Sequence, residues 1–104
     1  MKTLDEIKNL ITEHKKILNE KYKVKKIGVF GSYARGEQKK GSDLDIIIEF
    51  KNEESIGGLE FVGLMTDLEE YFEKILGIKP HLASKRQAVN SDRWKYVEKE
   101  LMYL

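Results

Sequence analysis

Cysteine is absent from the 104 residues of the sequence. The chain therefore has no disulfide framework, no thiolate metal site and no thiol nucleophile, which fits a reducing compartment and is compatible with others. Long apolar runs are also absent, since no segment approaches the roughly 20 residues that span a bilayer. A charged, amphipathic stretch follows Met1 in place of a signal peptide. We therefore expect a cytoplasmic protein without membrane contact.

A dominant charge of one sign is missing as well. Nineteen basic and eighteen acidic side chains leave a net charge of +1, which gives no long-range attraction to DNA or RNA. Direct nucleic-acid binding is therefore not expected. A hydrophobic fraction of 40% and a charged fraction of 36% are typical of a globular protein with a charged exterior. The length predicts one domain, residues 1–104.

The first half of the chain predicts one helix and two strands. A stripe with helical period begins at a Thr3–Glu6 capping box and comprises Leu4, Ile7, Ile11, His14, Ile17 and Leu18. Residues 26–30 form a short strand, and residues 31–42 form a turn or loop that can open into a short helix. The nearly continuous apolar run 44–50 predicts a strand in the middle of a sheet.

The second half predicts two helices and an edge strand. Helical spacing resumes over residues 59–76 and stops at Gly77. Residues 78–83 form a third strand, in which Pro80 indicates an edge position or a bulge because it cannot donate a ladder hydrogen bond. Residues 92–103 form the last helix. The order is α-β-β-α-β-α, and the fold class is α/β (α+β).

Two carboxylates stand at the start of the second strand. Asp43 and Asp45 project to the same face about 6.6 Å apart, because strand side chains alternate. They repel each other and resist desolvation, and a magnesium ion would compensate them because it binds a few carboxylates together with waters and phosphates. The alternative is that Asp43 caps a turn and Asp45 forms an ion pair with Arg35 or a lysine.

Gly31-Ser32 directly follows the first strand. A glycine lets backbone N–H groups approach phosphate oxygens, and the serine hydroxyl adds a donor. A short helix starting there would direct its positive end at the same phosphates. The alternative is a tight hairpin turn. The pair of motifs together is more specific than either alone.

These motifs resemble the signature of polymerase-beta-type nucleotidyltransferases. The matching residues are the run from Phe30 to Gly36, FGSYARG, and Asp43-Leu44-Asp45-Ile46, with ten residues between Ser32 and Asp43. The short length and the details over essentially the whole chain resemble the minimal nucleotidyltransferase (MNT) family within that superfamily.

The resemblance implies a small mixed sheet flanked by helices, with ATP as substrate and in-line attack on its α-phosphate. It implies a nucleotide site at Gly31 and Ser32, to which we add Ser42. Asp43 and Asp45 would hold two Mg²⁺ ions, with Mn²⁺ as an alternative metal. Arg35 is a further phosphate contact by its two parallel donors, or else a surface ion-pair partner.

One position departs from the family pattern. Family members usually carry a third carboxylate on the next strand, and His81 stands at that position here. Glu49 lies about 13 Å beyond Asp45 on the same strand face and Asp67 belongs to a helix, so neither is expected to replace it. His81 could act as a general base or as a ligand better suited to zinc or manganese, or it has no role in the site.

Three functions follow from the resemblance. The first is transfer of AMP to a tyrosine of a HEPN-family toxin by an antitoxin. The second is a degenerate antitoxin that neutralises this partner by binding, through an exposed apolar patch at Tyr96, Met102, Tyr103 and Leu104, residues that could equally be core. The third is transfer to a small molecule. Because a 104-residue chain has little wall for a closed acceptor pocket, a second chain should supply the acceptor or complete the site, and a homo-oligomer is compatible with this.

Overall fold

Four strands form one mixed sheet in the computed structural model, which describes residues 2–104. The strands are β1 (Val24–Phe30), β2 (Asp45–Phe50), β3 (His81–Ser84) and β4 (Met102–Tyr103). The helices are α1 (Leu4–Glu13), α2 (Lys15–Tyr22), α3 (Ser32–Arg35), α4 (Gly58–Leu76), α5 (Lys85–Ala88) and α6 (Trp94–Glu100), and Glu53–Ser55 forms a 3-10 turn. The predicted α/β class is confirmed.

The sheet order is β3-β2-β1-β4. β2 pairs antiparallel with β1 and parallel with β3, and β4 pairs antiparallel with the other side of β1. The interior position predicted for the apolar strand is therefore confirmed, and so is the edge position of the third strand. The predicted start of that strand at residue 78 is wrong, because the strand begins at His81; Pro80 therefore precedes it and no ladder hydrogen bond is lost.

The core lies on one face of the sheet. Strand residues Ile27, Val29, Ile46 and Ile48 share this face, as their pairing shows, and all are buried. Helices α1, α2 and α4 cover them with fully buried side chains, namely Ile7, Ile11, Leu18, Leu68, Phe72 and Leu76. Burial of these apolar side chains is the main stabilising contribution, at roughly 25 cal/mol per Å² of apolar area removed from water.

The apolar stripe predicts one continuous first helix. This prediction is wrong, because the helix breaks at His14. The capping box of Thr3 and Glu6 is present and starts α1. At its other end the His14 backbone N–H donates to carbonyls of the preceding turn, and Nδ1 of His14 lies 2.8 Å from the Leu10 carbonyl oxygen. The break changes the direction of the stripe, so Ile17 is 41% exposed.

None of the helices within residues 2–104 combines the length and the apolar character of a membrane span.

The predicted last helix, 92–103, is wrong at its C-terminal end. Helix α6 stops at Glu100, and Met102 and Tyr103 pair with Val29 and Gly28 of β1. A Cβ atom at Gly28 would lie 2.5 Å from Leu101 Cδ1, so the bare glycine lets the chain close onto the sheet. Backbone pairing at this open edge outweighs the helical pattern because it satisfies N–H and C=O groups of β1.

Candidate active site

A cleft of about 760 Å³ lies between the second face of the sheet and the segment that contains α5 and α6. Sheet residues on this face pair as Phe30 with Asp45 and as Asp45 with His81. All seven residues that the sequence predicts for the site line the cleft: Gly31, Ser32, Arg35, Ser42, Asp43, Asp45 and His81. The fold thus brings together residues that are up to 50 positions apart in the sequence.

The two aspartates lie at the entrance to β2. The strand begins at Asp45, one residue later than the apolar run predicts, so Asp43 lies in the preceding loop. Burial raises the pKa of Asp45; a hydrogen bond from His81 opposes that increase, and the charge of Asp43 adds to it. The Asp45 side chain is 22% exposed. The charged form of Asp45 is therefore only partly compensated in the protein alone, and a cation would complete the compensation.

Gly31 has two structural reasons to be glycine. Its φ of +75° lies in the region that disfavours side chains, and a Cβ atom would lie 2.6 Å from Oδ2 of Asp45. The residue therefore provides the space that the Asp45 carboxylate occupies. Helix α3 begins directly afterwards at Ser32, so the hairpin-turn alternative is wrong and the short-helix expectation is confirmed.

Arg35 is held by two carboxylates. Its Nε donates to Glu37 at 3.1 Å and its Nη1 donates to Glu100 at 2.9 Å, and these hydrogen bonds raise the pKa of the guanidinium. The ion-pair alternative thus describes Arg35 in this structure, with Glu37 and Glu100 as its partners and not Asp45. Because the guanidinium also lines the cleft, a triphosphate could compete with Glu100 for its donors.

Ser42 lies in the loop that leads to the aspartates. Its Oγ accepts a hydrogen bond from the backbone N–H of Lys39 at 2.8 Å. The hydroxyl hydrogen is therefore still available to a ligand in the cleft, because a serine Oγ can donate as well as accept. This bond fixes the turn immediately before Asp43.

His81 stands beside Asp45 in the parallel ladder. Its Nδ1 lies 3.2 Å from Oδ1 of Asp45, and its side chain is 75% exposed. Glu49 instead lies 3.5 Å from Lys85, and Asp67 lines a separate groove near α2. Within the described part of the chain, no three His, Asp or Glu side chains form a group that could hold a metal ion. The carboxylate pair therefore has an imidazole neighbour and no third carboxylate.

Sequence reasoning did not identify the other wall of the cleft. Gln87 and Ala88 from α5, and Trp94 and Val97 from α6, line it, whereas the sequence predicted only that Trp94 and Val97 belong to the last helix. Neither α5 nor α6 contains a fully buried residue. Trp94 is the single tryptophan of the chain, and Tyr96, which the sequence predicted only as part of an exposed patch, also lines this wall.

Comparison with known proteins identifies the family. The family model described as "Nucleotidyltransferase domain" matches residues 11–103. The chain belongs to the nucleotidyltransferase domain family. Within this family it is 43% identical over 104 residues to "Protein adenylyltransferase MntA" of Thermococcus cleftensis, covering all of this chain and 98% of the relative. It is 48% identical over the full length of both chains to "Putative protein adenylyltransferase MJ1379" of Methanocaldococcus jannaschii.

Two solved structures share the fold. One, described as "Structure of putative minimal nucleotidyltransferase", has a TM-score of 0.62 at 27% identity and covers 94% of this chain and 95% of its own. Another, described as "Crystal structure of the toxin-antitoxin with AMP-PNP", has a TM-score of 0.54 at 20% identity and covers 96% of this chain and 70% of its own. At this lower identity the second likeness concerns the fold alone.

Proposed function

We propose that this single nucleotidyltransferase domain transfers AMP from ATP to a hydroxyl group of a partner protein in the cytoplasm and acts as an antitoxin. The observation that carries the proposal is that Asp43 and Asp45 share one cleft with Gly31 and Ser32. The adenylyltransferase names of relatives that match the full length support this type of transfer. The proposed acceptor is a tyrosine of a HEPN-family toxin, as the resemblance to the MNT family implies.

The residues of the cleft fit a hard divalent cation. Asp43 and Asp45 provide carboxylate oxygens without a closed protein cage, which suits magnesium because it retains waters and substrate phosphates as ligands. The raised pKa of Asp45 shows that burial disfavours its charge in the protein alone. Bound Mg²⁺, or Mn²⁺, would neutralise charge on the entering and leaving oxygens of the α-phosphate.

The proposed transfer is a displacement at the α-phosphorus. The acceptor oxygen forms a bond to this phosphorus, the bond to the bridging oxygen of the β-phosphate breaks, and pyrophosphate leaves with the electron pair. Gly31 N–H, the Ser32 hydroxyl and the Arg35 guanidinium would orient the triphosphate. In this proposal Arg35 exchanges Glu100 for phosphate when ATP enters.

His81 is the proposed acceptor of the proton. A free tyrosine hydroxyl has a pKa of about 10, so it needs a base or a metal to form the phenolate. In the tautomer in which Nδ1 donates to Asp45, the other ring nitrogen carries a lone pair that can take this proton.

The second candidate function is neutralisation of the toxin by binding alone. His81 replaces the expected carboxylate, and three apolar side chains of the predicted patch are exposed: Tyr96 at 63%, Met102 at 48% and Tyr103 at 48%. Leu104, the fourth, is partly buried against the core. Transfer to a small molecule ranks third, because the short chain offers little wall for a closed acceptor pocket.

The test is intact mass spectrometry of this protein and a HEPN-family partner after incubation with ATP and Mg²⁺ or Mn²⁺. We expect the partner to gain the mass of AMP with the parent protein and not with the Asp43→Ala/Asp45→Ala variant. Asp67→Ala is the matched control, because Asp67 is an exposed carboxylate outside the cleft. A stable complex without modification would reject transfer and favour the binding function.

A further inference from the structure

The part of the cleft floor that the sheet forms has a polar end and an apolar end. Asp45 and His81 form part of the polar end, together with the Gly31-Ser32 turn. Ile47 lies on the same face of β2, about 6.6 Å further along the strand, and pairs with Ala83 of β3. Since both side chains line the cleft, its floor changes from charged to apolar over a distance of two residues. A ligand with a polyanionic end and an apolar end fits such a floor.

Helix α6 lies along this cleft with a defined direction. Trp94, Val97 and Glu100 are its three partly buried residues, one on each successive turn, and all three line the cleft. Glu100 contacts Arg35 at the polar end, with a distance of 2.9 Å between Glu100 Oε1 and Arg35 Nη1. Trp94 is six residues earlier, about 9 Å back along the helix axis. The indole therefore belongs to the end of the cleft away from Arg35.

Trp94 contributes little to packing for its size. It is only partly buried, and α6 has no fully buried residue. A large aromatic ring in this position is instead suited to contact a planar ligand, because aromatic rings stack on nucleobases irrespective of base identity.

We propose that Trp94 is the stacking platform for the purine base of the nucleotide, at the end of the cleft away from Arg35. This inference rests on the proposed function, since it assumes that the triphosphate lies at Gly31 and Ser32. The base would then contact the C-terminal segment. Trp94 would determine how much more tightly the protein binds a nucleotide than a bare triphosphate.

The affinity of the protein for two probes separates base binding from phosphate binding. ATP carries both groups, whereas inorganic tripolyphosphate carries only the phosphates. We expect Trp94→Ala to weaken Mg-ATP binding about tenfold, a typical effect of removing one base–aromatic stack, and to leave tripolyphosphate binding unchanged. Trp94→Phe should retain most of the ATP affinity. Tyr103→Leu is the control, because Tyr103 is an exposed aromatic residue of the same segment that does not line this cleft.

Calorimetric titration measures these affinities, and fluorescence of the single tryptophan provides a direct readout. We expect ATP to change the Trp94 emission and tripolyphosphate to leave it unchanged while competing with ATP. Equal ATP affinity in the parent and Trp94→Ala, or loss of both ligands in Trp94→Ala, would overturn the stacking role alone. If the parent bound neither ligand, the proposed function would fail and the stacking role would fail with it.

Discussion

The two faces of the sheet differ in how they are covered. The face with Val29, Ile46 and Ile48 lies under helices that bury several large side chains completely, and α4 alone contributes Leu68, Phe72 and Leu76. The other face carries Asp45 and His81 and is covered by α5 and α6, neither of which has a fully buried residue. Stability is therefore concentrated on one face, and the candidate site lies on the other.

The charges on the second face also oppose folding in the absence of a ligand. Burial of Asp45 beside Asp43 raises the pKa of Asp45, which means that the folded state disfavours the charged carboxylate. An arrangement of this kind is common at functional sites, where strain or desolvation is offset elsewhere in the fold. Here the helical face provides that offset.

The largest difference in unfolding free energy is expected between substitutions of two aromatic residues, one on each face. Phe72→Ala should reduce the free energy of unfolding by about 3–5 kcal/mol, because Phe72 is fully buried and its loss leaves a cavity. Trp94→Ala should cost less than about 1.5 kcal/mol, because Trp94 is only partly buried. Urea unfolding measures both values. Equal losses would show that the two faces contribute similarly to stability.

Two glycines provide a sharper test of the site. Gly36→Ala should destabilise the protein by about 1–2 kcal/mol because Gly36 is in the left-handed conformation, and Gly31→Ala should cost more because its Cβ atom would also meet the Asp45 carboxylate. Only Gly31→Ala should also abolish Mg-ATP binding, because its Cβ atom would displace the Asp45 carboxylate, whereas no atom lies within 4 Å of a Cβ at Gly36. Calorimetry should detect this difference. Normal ATP binding by Gly31→Ala would argue against the proposed position of Asp45.

His81→Asp restores the carboxylate that the family pattern predicts at this position. We expect transfer to rise several-fold in Mg²⁺, because the new carboxylate would lie beside Asp45 in the ladder as a third metal ligand and would also replace His81 as the acceptor of the proton. The metal-free variant should be less stable than the parent owing to repulsion among three carboxylates, and Mg²⁺ should reverse that loss. If neither Mg²⁺ nor Mn²⁺ gave any gain in transfer, a missing third ligand would not be what limits the reaction.

The smallest effect concerns pH. A raised folded-state pKa makes the Asp45 charge unfavourable for folding at pH values above that pKa, and the penalty disappears as the carboxyl is protonated on acidification. Asp45→Asn should therefore be slightly more stable than the parent at pH 7 in metal-free buffer. The advantage should diminish as the pH falls through the pKa of Asp45. Unfolding curves recorded at several pH values would contradict this if Asp45→Asn were less stable at pH 7.

The sequence predicted the elements that depend on local pattern. Capping at Thr3, the interior strand and the site motifs are all encoded within a few neighbouring residues. The break at His14 was not predicted, because the apolar stripe continues past it at Ile17 and Leu18. The strand at Met102–Tyr103 was not predicted either, because a two-residue strand has no periodicity of its own and forms only by pairing with Gly28 and Val29. The cleft wall at Trp94 was missed for the same reason, since its position depends on how the distant C-terminal segment folds back.

The central claim is that Asp43 and Asp45 serve ligand binding and not the fold. The most direct measurement is the unfolding free energy of Asp43→Ala/Asp45→Ala together with its affinity for Mg-ATP. We predict that stability is unchanged or higher, because carboxylate repulsion is relieved, while Mg-ATP binding is lost. A variant that unfolds, or one that binds Mg-ATP as tightly as the parent protein, would contradict the claim.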